Sequence, residues 1–238
     1  MAPSQHLYQD HNMIFSKRTI RSFVRRTGRL TSSQSKAFKE LWAKLGIEHE
    51  IRLLDLDANF GRTAPIVLEI GFGNGKSMVQ MANEKPENNY LGIEVYEPGI
   101  GHCLIMARKL ALKNLRIIAH DAIEVLEHQI SLKSINRVNL YFPDPWPKKR
   151  HHKRRIIQPK FLKTIADRLK DNGTLNIATD WKNYAEHIEE IFSSVDYFTC
   201  TERREHSGEL PFDRPRTKFE QRGLKRGHRI WDWCFKKI

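Results

Sequence analysis

From Pro65 onward, short runs rich in β-branched and aromatic residues alternate with stretches whose apolar residues recur at helical spacing. Few folds accommodate that alternation. Strands are predicted over 66–70, 90–95, 115–119, 137–142, 174–178, 197–201 and 229–235, with helices near 75–84, 98–112, 122–128, 159–170 and 181–192. The 159–170 segment puts Phe161, Leu162, Ile165, Ala166 and Leu169 on one face, opens on Pro159 and is followed by Asn172-Gly173. The 181–192 segment does the same with Trp181, Tyr184, Ala185, Ile188, Ile191 and Phe192, and Asp180 is its expected cap. Strands that take turns with helices pair in parallel through crossover connections. The predicted class is therefore α/β, a doubly wound, mostly parallel seven-stranded sheet with helices on both faces. Upstream, Phe38, Leu41, Trp42 and Leu45 predict one more helix, stopped by Gly46. The expected division is a basic arm plus helix over 1–60 and a main domain over 61–238, and ligands are expected at the carboxyl ends of the strands.

Charge narrows the choice of ligand. Lys and Arg number 41 against 28 acids, a net charge of +13. Such a surplus fits a polyanionic partner, whose bound counterions are released on contact. Lys17, Arg18, Arg21, Arg25, Arg26 and Arg29 crowd the first 30 residues against the single acid Asp10. Residues 148–155 hold six fixed positive charges and two histidines. Arg150, His151, His152, Lys153, Arg154 and Arg155, with Arg25 and Arg26, are the candidate RNA contacts; a solvated basic face is the alternative. Cys103, Cys200 and Cys234 are far apart and lack metal-ligand spacing, so neither a disulfide scaffold nor a metal site is expected. No apolar run approaches the roughly 20 residues that span a bilayer, and the first 30 residues carry no secretory pattern. A cytoplasmic protein with no membrane contact, a monomer or weak homodimer, is the expectation.

The first strand of the main domain runs into Glu69-Ile70-Gly71-Phe72-Gly73-Asn74-Gly75. Alternate glycines allow a tight turn and close approach to a ligand. A dinucleotide fingerprint requires Gly or Ala at position 76, where this chain has Lys76. Glu69, between Leu68 and Ile70 in a strand predicted to be buried, calls for a cationic partner. S-adenosylmethionine carries an ammonium and a sulfonium and no phosphate, and so suits an acidic site. Glu94, 19 residues beyond Gly75, is placed to accept from ribose hydroxyls. Asp121, closing the third strand, is placed to accept from an adenine amino group. Each acid also has a plainer role: Glu69 in an ion pair, Glu94 at the surface, Asp121 as a helix cap.

The fourth strand ends in Tyr141-Phe142-Pro143-Asp144-Pro145-Trp146-Pro147-Lys148. Its prolines stiffen the loop, so Asp144 is presented rigidly beside the basic run. The chain here resembles the bacterial tRNA (guanine-N7-)-methyltransferases. The resemblance rests on Glu69 to Gly75, Gly92-Ile93-Glu94-Val95, Phe142 to Lys148, Thr179-Asp180-Trp181 and Thr217-Lys218-Phe219-Glu220, with Arg21-Ser22-Phe23-Val24 and Gly28-Arg29-Leu30 near the start. It covers essentially the whole chain. The glycine turn is generic to methyltransferases, whereas the proline-rich block followed by basic residues is specific.

The resemblance implies a Rossmann-like class I methyltransferase domain that uses S-adenosylmethionine to methylate a variable-loop guanine of tRNA, position 46. It implies that Glu69, Gly71, Gly73, Gly75, Glu94, Asp121 and Asp144 serve the donor, with Asp144 also the catalytic residue. Lys148, Asp180, Thr217, Lys218, Phe219 and Glu220 match substrate-binding positions, and 150–155 an RNA-contacting segment. Guanine N7 carries a lone pair and no proton, so transfer needs alignment more than a base, and a carboxylate can stabilise the charge that develops on the ring. Glu220 is the expected reader of guanine N1–H and the 2-amino group, Phe219 its stacking partner. An exocyclic-amino methyltransferase uses a differently ordered loop, and a non-catalytic RNA-binding module would not need the acids.

Overall fold

Thr31 starts the first element. Its hydroxyl accepts from the Gln34 N–H (3.2 Å), while the Gln34 side chain accepts from the Thr31 N–H (2.8 Å). This reciprocal cap begins α1 (Ser32–Leu45). The helix stops where predicted: Gly46 turns to extended backbone while its N–H still donates to Trp42 O, and a side chain there would run into the Trp42 ring. A computed structural model describes residues 21–23, 28–208 and 214–238. Arg25 and Arg26 lie outside the described residues, as does most of the basic arm.

After α1 come β1 (Gly46–Ile47), α2 (Leu56–Phe60), β2 (Ile66–Ile70), α3 (Lys76–Glu84), β3 (Asn89–Ile93), α4 (Glu97–Lys109), β4 (Leu115–Ile118), α5 (Ala122–His128) and β5 (Ile135–Tyr141). A 3₁₀ turn over Lys149–Arg154 leads to α6 (Pro159–Arg168), β6 (Leu169–Thr179), α7 (Lys182–Ser193), β7 (Phe198–His206), α8 (Lys218–Lys225) and β8 (Ile230–Lys237). The strands form one sheet in the order β1-β4-β3-β2-β5-β6-β8-β7. Pairing is parallel from β1 to β6, and β8 runs antiparallel to both neighbours. β2 and β3 are buried along their whole length, as strands covered on both faces must be. Ile47, Leu56 and Phe60 join the core on one face of the sheet, and Ala37 and Leu45 the core on the other.

The sheet has eight strands where seven were expected; the additional one is the two-residue edge β1. α2 and α8 were not expected. β6 begins at Leu169 instead of 174, because its first residues pair with β5 through Leu169 and Ile135. Asp180 does not cap α7: Trp181 occupies that position, and its N–H is received by the Thr179 hydroxyl. From β2 the connections step outward through β3 to β4, then return to place β5 on the other side of β2. The crevice between β2 and β5 is thus the switch point where such sheets bind ligands. No helix among the described residues is long and apolar enough to cross a membrane.

Candidate active site

The glycine loop after β2 adopts backbone angles that side chains disfavour. Gly71, Gly73 and Gly75 all have positive φ, at 69°, 60° and 74°. Gly75 is tied further, since a Cβ there would lie 2.5 Å from Cys103. The loop borders a cavity of about 440 Å³, walled by Glu69 below it, Tyr96, Pro98 and His102 of the α4 region, Tyr141 and Phe142 at the end of β5, and Thr217, Lys218, Phe219 and Arg222. One cavity therefore touches both the donor motif and the expected substrate segment.

Glu69 is 3% exposed, and its Oε2 is buried with no hydrogen-bond partner. Burial raises its carboxyl to about 8, with Arg137 and Arg214 pulling the other way. A deeply buried acid at the wall of a cavity, with one oxygen unpaired among the described residues, fits a cationic ligand group. Glu94 is already engaged: Oε2 accepts from Gly73 N–H (2.7 Å), and Oε1 from Val95 N–H (2.7 Å) and Tyr96 N–H (3.0 Å). Burial raises its carboxyl despite those bonds, and Asp144 adds to the rise. Oε1 thus has both lone pairs engaged, while Oε2, with one donor, retains acceptor capacity for a hydroxyl. Asp121 caps α5 through Ile123 N–H (3.0 Å), the plainer of its two expected roles, and burial raises it as well. Glu69, Glu94, Asp121 and Asp144 occupy the carboxyl ends of the adjacent strands β2, β3, β4 and β5, and of these Glu69 lines the cavity.

Asp144 is exposed on a loop bent at both ends, with φ of 54° at Phe142 and 46° at Trp146. Left-handed backbone at aromatic residues costs about 1–2 kcal/mol each and needs external support. Trp146 Nε1 donates to Ser22 O (2.9 Å), the Arg154 guanidinium lies 4.8 Å above the Trp146 ring, and His151 meets that ring edge-on. Arg155 supplies the rest. It is 2% exposed and donates to Pro145 O (3.0 Å), Asn183 Oδ1 (2.7 Å) and His152 Nε2 (3.1 Å), over the Tyr184 ring. The expected RNA contact at Arg155 is thus corrected: the side chain faces inward and braces the loop. Lys148, Arg150 and Lys153 remain exposed, and His151, His152 and Arg154 are half-buried.

The substrate segment is also differently arranged from expectation. Thr217 caps α8, and its hydroxyl accepts from Glu220 N–H (3.1 Å). Glu220 is fully buried, and its Oε2 accepts from Arg214 Nη1 (2.6 Å). The carboxylate expected to read a guanine edge is thus enclosed beneath the turn, with Oε1 unpaired among the described residues. Arg214 continues to Asp232 through Nε (2.8 Å) and Nη2 (3.0 Å), and Asp232 Oδ2 meets His206 Nε2 at 2.9 Å. Arg214 also stacks on Tyr141 and Phe142. Sequence reasoning missed this network because its members only converge after β8 folds back. Lys218 and Phe219 are exposed, and Phe219 reaches over Gly73. Asp180 lies against His228 Nδ1 (3.2 Å) and beside Gly223.

Residues 63–233 match a family described as "Putative methyltransferase". The tRNA (guanine-N(7)-)-methyltransferase of Aeromonas hydrophila subsp. hydrophila is 52% identical over 93% of this chain and 93% of its own length. That of Pseudoalteromonas atlantica is 49% identical over 93% of this chain and 92% of its own. Among solved structures, the 30S ribosomal A1408 methyltransferase from an uncultured bacterium superposes with a TM-score of 0.54 at 15% identity, over 82% of this chain and 99% of that one. The last likeness concerns the fold alone. The alternating sheet, the glycine turn, the acids at its strand ends and half-identical relatives along nearly the full length agree: the chain belongs to the tRNA (guanine-N7-)-methyltransferase family.

Proposed function

We propose that this chain transfers the methyl group of S-adenosylmethionine to N7 of a guanine in the variable loop of tRNA, position 46, forming 7-methylguanosine. The observation that carries the reading is the single cavity shared by buried Glu69 and exposed Phe219. The open Oε2 of Glu69 fits the donor ammonium, Glu94 the ribose hydroxyls and Asp121 the adenine amino group, while Gly71, Gly73 and Gly75 let the backbone approach closely. When bound, the donor supplies an electrophilic sulfonium methyl. The chain's own part is to align and to stabilise charge. Phe219 stacks on the base, and Thr217, Lys218, Lys148 and Asp180 hold nearby sugar and phosphate. Asp144, on its braced loop, faces the ring as positive charge develops there, so it stabilises the transition state more than the neutral base. Glu220 and Arg155 are positioning residues in this scheme. Lys148, Arg150, His151, His152, Lys153 and Arg154, with Arg25 and Arg26 of the arm, face the RNA. The enzyme works in the cytoplasm as a monomer or weak homodimer.

Incubation with unmodified tRNA and methyl-labelled donor, followed by digestion and mass mapping, tests the reading. The label is expected in 7-methylguanosine at one variable-loop site; label on an exocyclic nitrogen, or none, overturns it. Asp144→Asn is expected to lower the single-turnover rate by about 10²–10³ with both substrates still bound. An unchanged rate removes Asp144 from the chemistry.

A further inference from the structure

On the far side of Asp121, α5 carries His120 just before its cap, then Glu124 and His128 at successive four-residue steps, one stripe of the helix. His49, from the segment after β1, lies against this stripe. Its ring stacks on His120 with centroids 3.7 Å apart and 6° between planes, and stands 5.7 Å from His128. His120 Nε2 meets Glu124 Oε2 at 2.5 Å. Among the described residues, His49 Nε2 is buried without a hydrogen-bond partner, as is Nδ1 of His128. A buried, unpaired imidazole nitrogen beside a second imidazole and a carboxylate is an arrangement that a metal ion can complete.

We propose that His49, His120 and Glu124 form a binding site for a divalent cation of the zinc class, with the fourth position open to water. One donor atom from each of the three lies within 4.8 Å of the others. Tetrahedral coordination at zinc bond lengths needs donors roughly 3.3 Å apart, so the donor atoms must close by about 1.5 Å at most and one of the two stacked rings must turn so that both in-plane lone pairs meet the ion. All three are half-buried, which leaves room for that rotation. Two imidazoles and one carboxylate suit zinc better than magnesium or calcium, which take oxygen donors. The ion would join the 48–54 segment, already tied to the end of α5 by Leu54 N–H to Gln129 O (2.9 Å) and Gln129 Nε2 to Glu48 O (3.0 Å), to that helix's start. Because His120 directly precedes Asp121, the clamp would also hold the turn that carries that acid.

The test uses the full chain, stripped with a chelator, then titrated with ZnCl₂ by calorimetry and melted with and without the ion. One saturable zinc per chain is expected, with the melting temperature raised by roughly 5–10 °C at a free zinc concentration about a hundred times Kd. MgCl₂ is expected to leave it unmoved. Glu124→Gln, at a position whose side chain is 44% exposed, and His49→Gln are each expected to weaken zinc binding about tenfold or more. Absence of saturable binding overturns the proposal. So does equal zinc affinity in a folded Glu124→Gln or His49→Gln variant, which would place the ion on other histidines.

Discussion

The two sides of the site, which meet the cavity through Glu69 and through Thr217, Lys218, Phe219 and Arg222, are built on opposite principles. The donor wall is local in the chain: each acid sits at or within three residues of the end of its own strand, and the glycine loop supplies the turn between β2 and α3. It keeps polar capacity in reserve, with Glu69 Oε2 unpaired and Glu94 held only by backbone N–H groups. The substrate wall is assembled from distant pieces. His206, Arg214, Glu220 and Asp232 come from β7, the segment before α8, α8 and β8, and Arg214 ties both acids into one buried cluster, although Glu220 Oε1 and His206 Nδ1 stay unpaired among the described residues. One wall is open to a ligand's charges. The other uses charge to hold a helix and leaves Phe219, Lys218 and Arg222 to face the ligand.

That contrast breaks first at Arg214. Arg214→Met leaves Glu220 and Asp232 as buried carboxylates without their cation, a change that typically costs 3–5 kcal/mol. For a chain of this size the melting temperature is expected to fall by roughly 6–20 °C. Arg214→Lys keeps the charge but not the fork that reaches both acids, and is expected to fall less. Calorimetric melts of both variants check this. If Arg214→Met melts with the parent, the network does not hold the substrate wall.

Glu69 sharpens the other side. Its carboxyl is raised from 4.5 to about 8 by burial, against the pull of Arg137 and Arg214 and with a push from Glu94. In the empty protein the neutral form is therefore favoured. Its contribution to folding stability is fully present below about pH 4.5 and is lost as pH rises through about 8. The donor ammonium reverses the preference, because it needs the carboxylate. Donor affinity is expected to rise close to tenfold per pH unit between about 6 and 8, then level off. Glu69→Gln binds more weakly at pH 8 and loses that slope. Calorimetric titration with S-adenosylmethionine across this range is the measurement, and a flat wild-type profile would show that Glu69 is already ionised or plays no part.

The same contrast explains what could be read in advance. α5 begins and ends at the predicted residues because Asp121 both ends a strand turn and caps a helix, a signal contained in a few neighbouring positions. The place of Glu69, Glu94, Asp121 and Asp144 at their strand ends was legible for the same reason: a carboxylate beside a buried strand end announces itself. The burial of Glu220 was not legible because it depends on Arg214 pointing inward, and nothing in a polar loop tells which of Arg214, Arg216 and Arg222 will do so. α2 escaped because five residues, capped by Asp55, carry too little periodicity. His49 and His120 are brought together only by the pairing of β1 with β4 at the sheet edge.

The basic run 148–155 poses the last discrimination, because it contains both kinds of charge within eight residues. Arg150 and Lys153 are exposed, and their interaction with RNA phosphates would be read by the counterions they release. Replacing either by alanine is expected to weaken tRNA binding modestly and to reduce the slope of log affinity against log salt by about 0.7–0.9, with the rate on bound tRNA unchanged. Arg155 is buried against Pro145 and Asn183, so Arg155→Ala should leave that slope alone. It releases the strained loop between Phe142 and Trp146 instead, and the single-turnover rate is expected to fall while tRNA affinity holds. Filter binding over a range of salt, paired with single-turnover kinetics, separates the two. A reduced salt slope for Arg155→Ala would mean that its guanidinium leaves the brace and turns out to the RNA on binding, and the division between holding charges and contacting charges would then fail within this run.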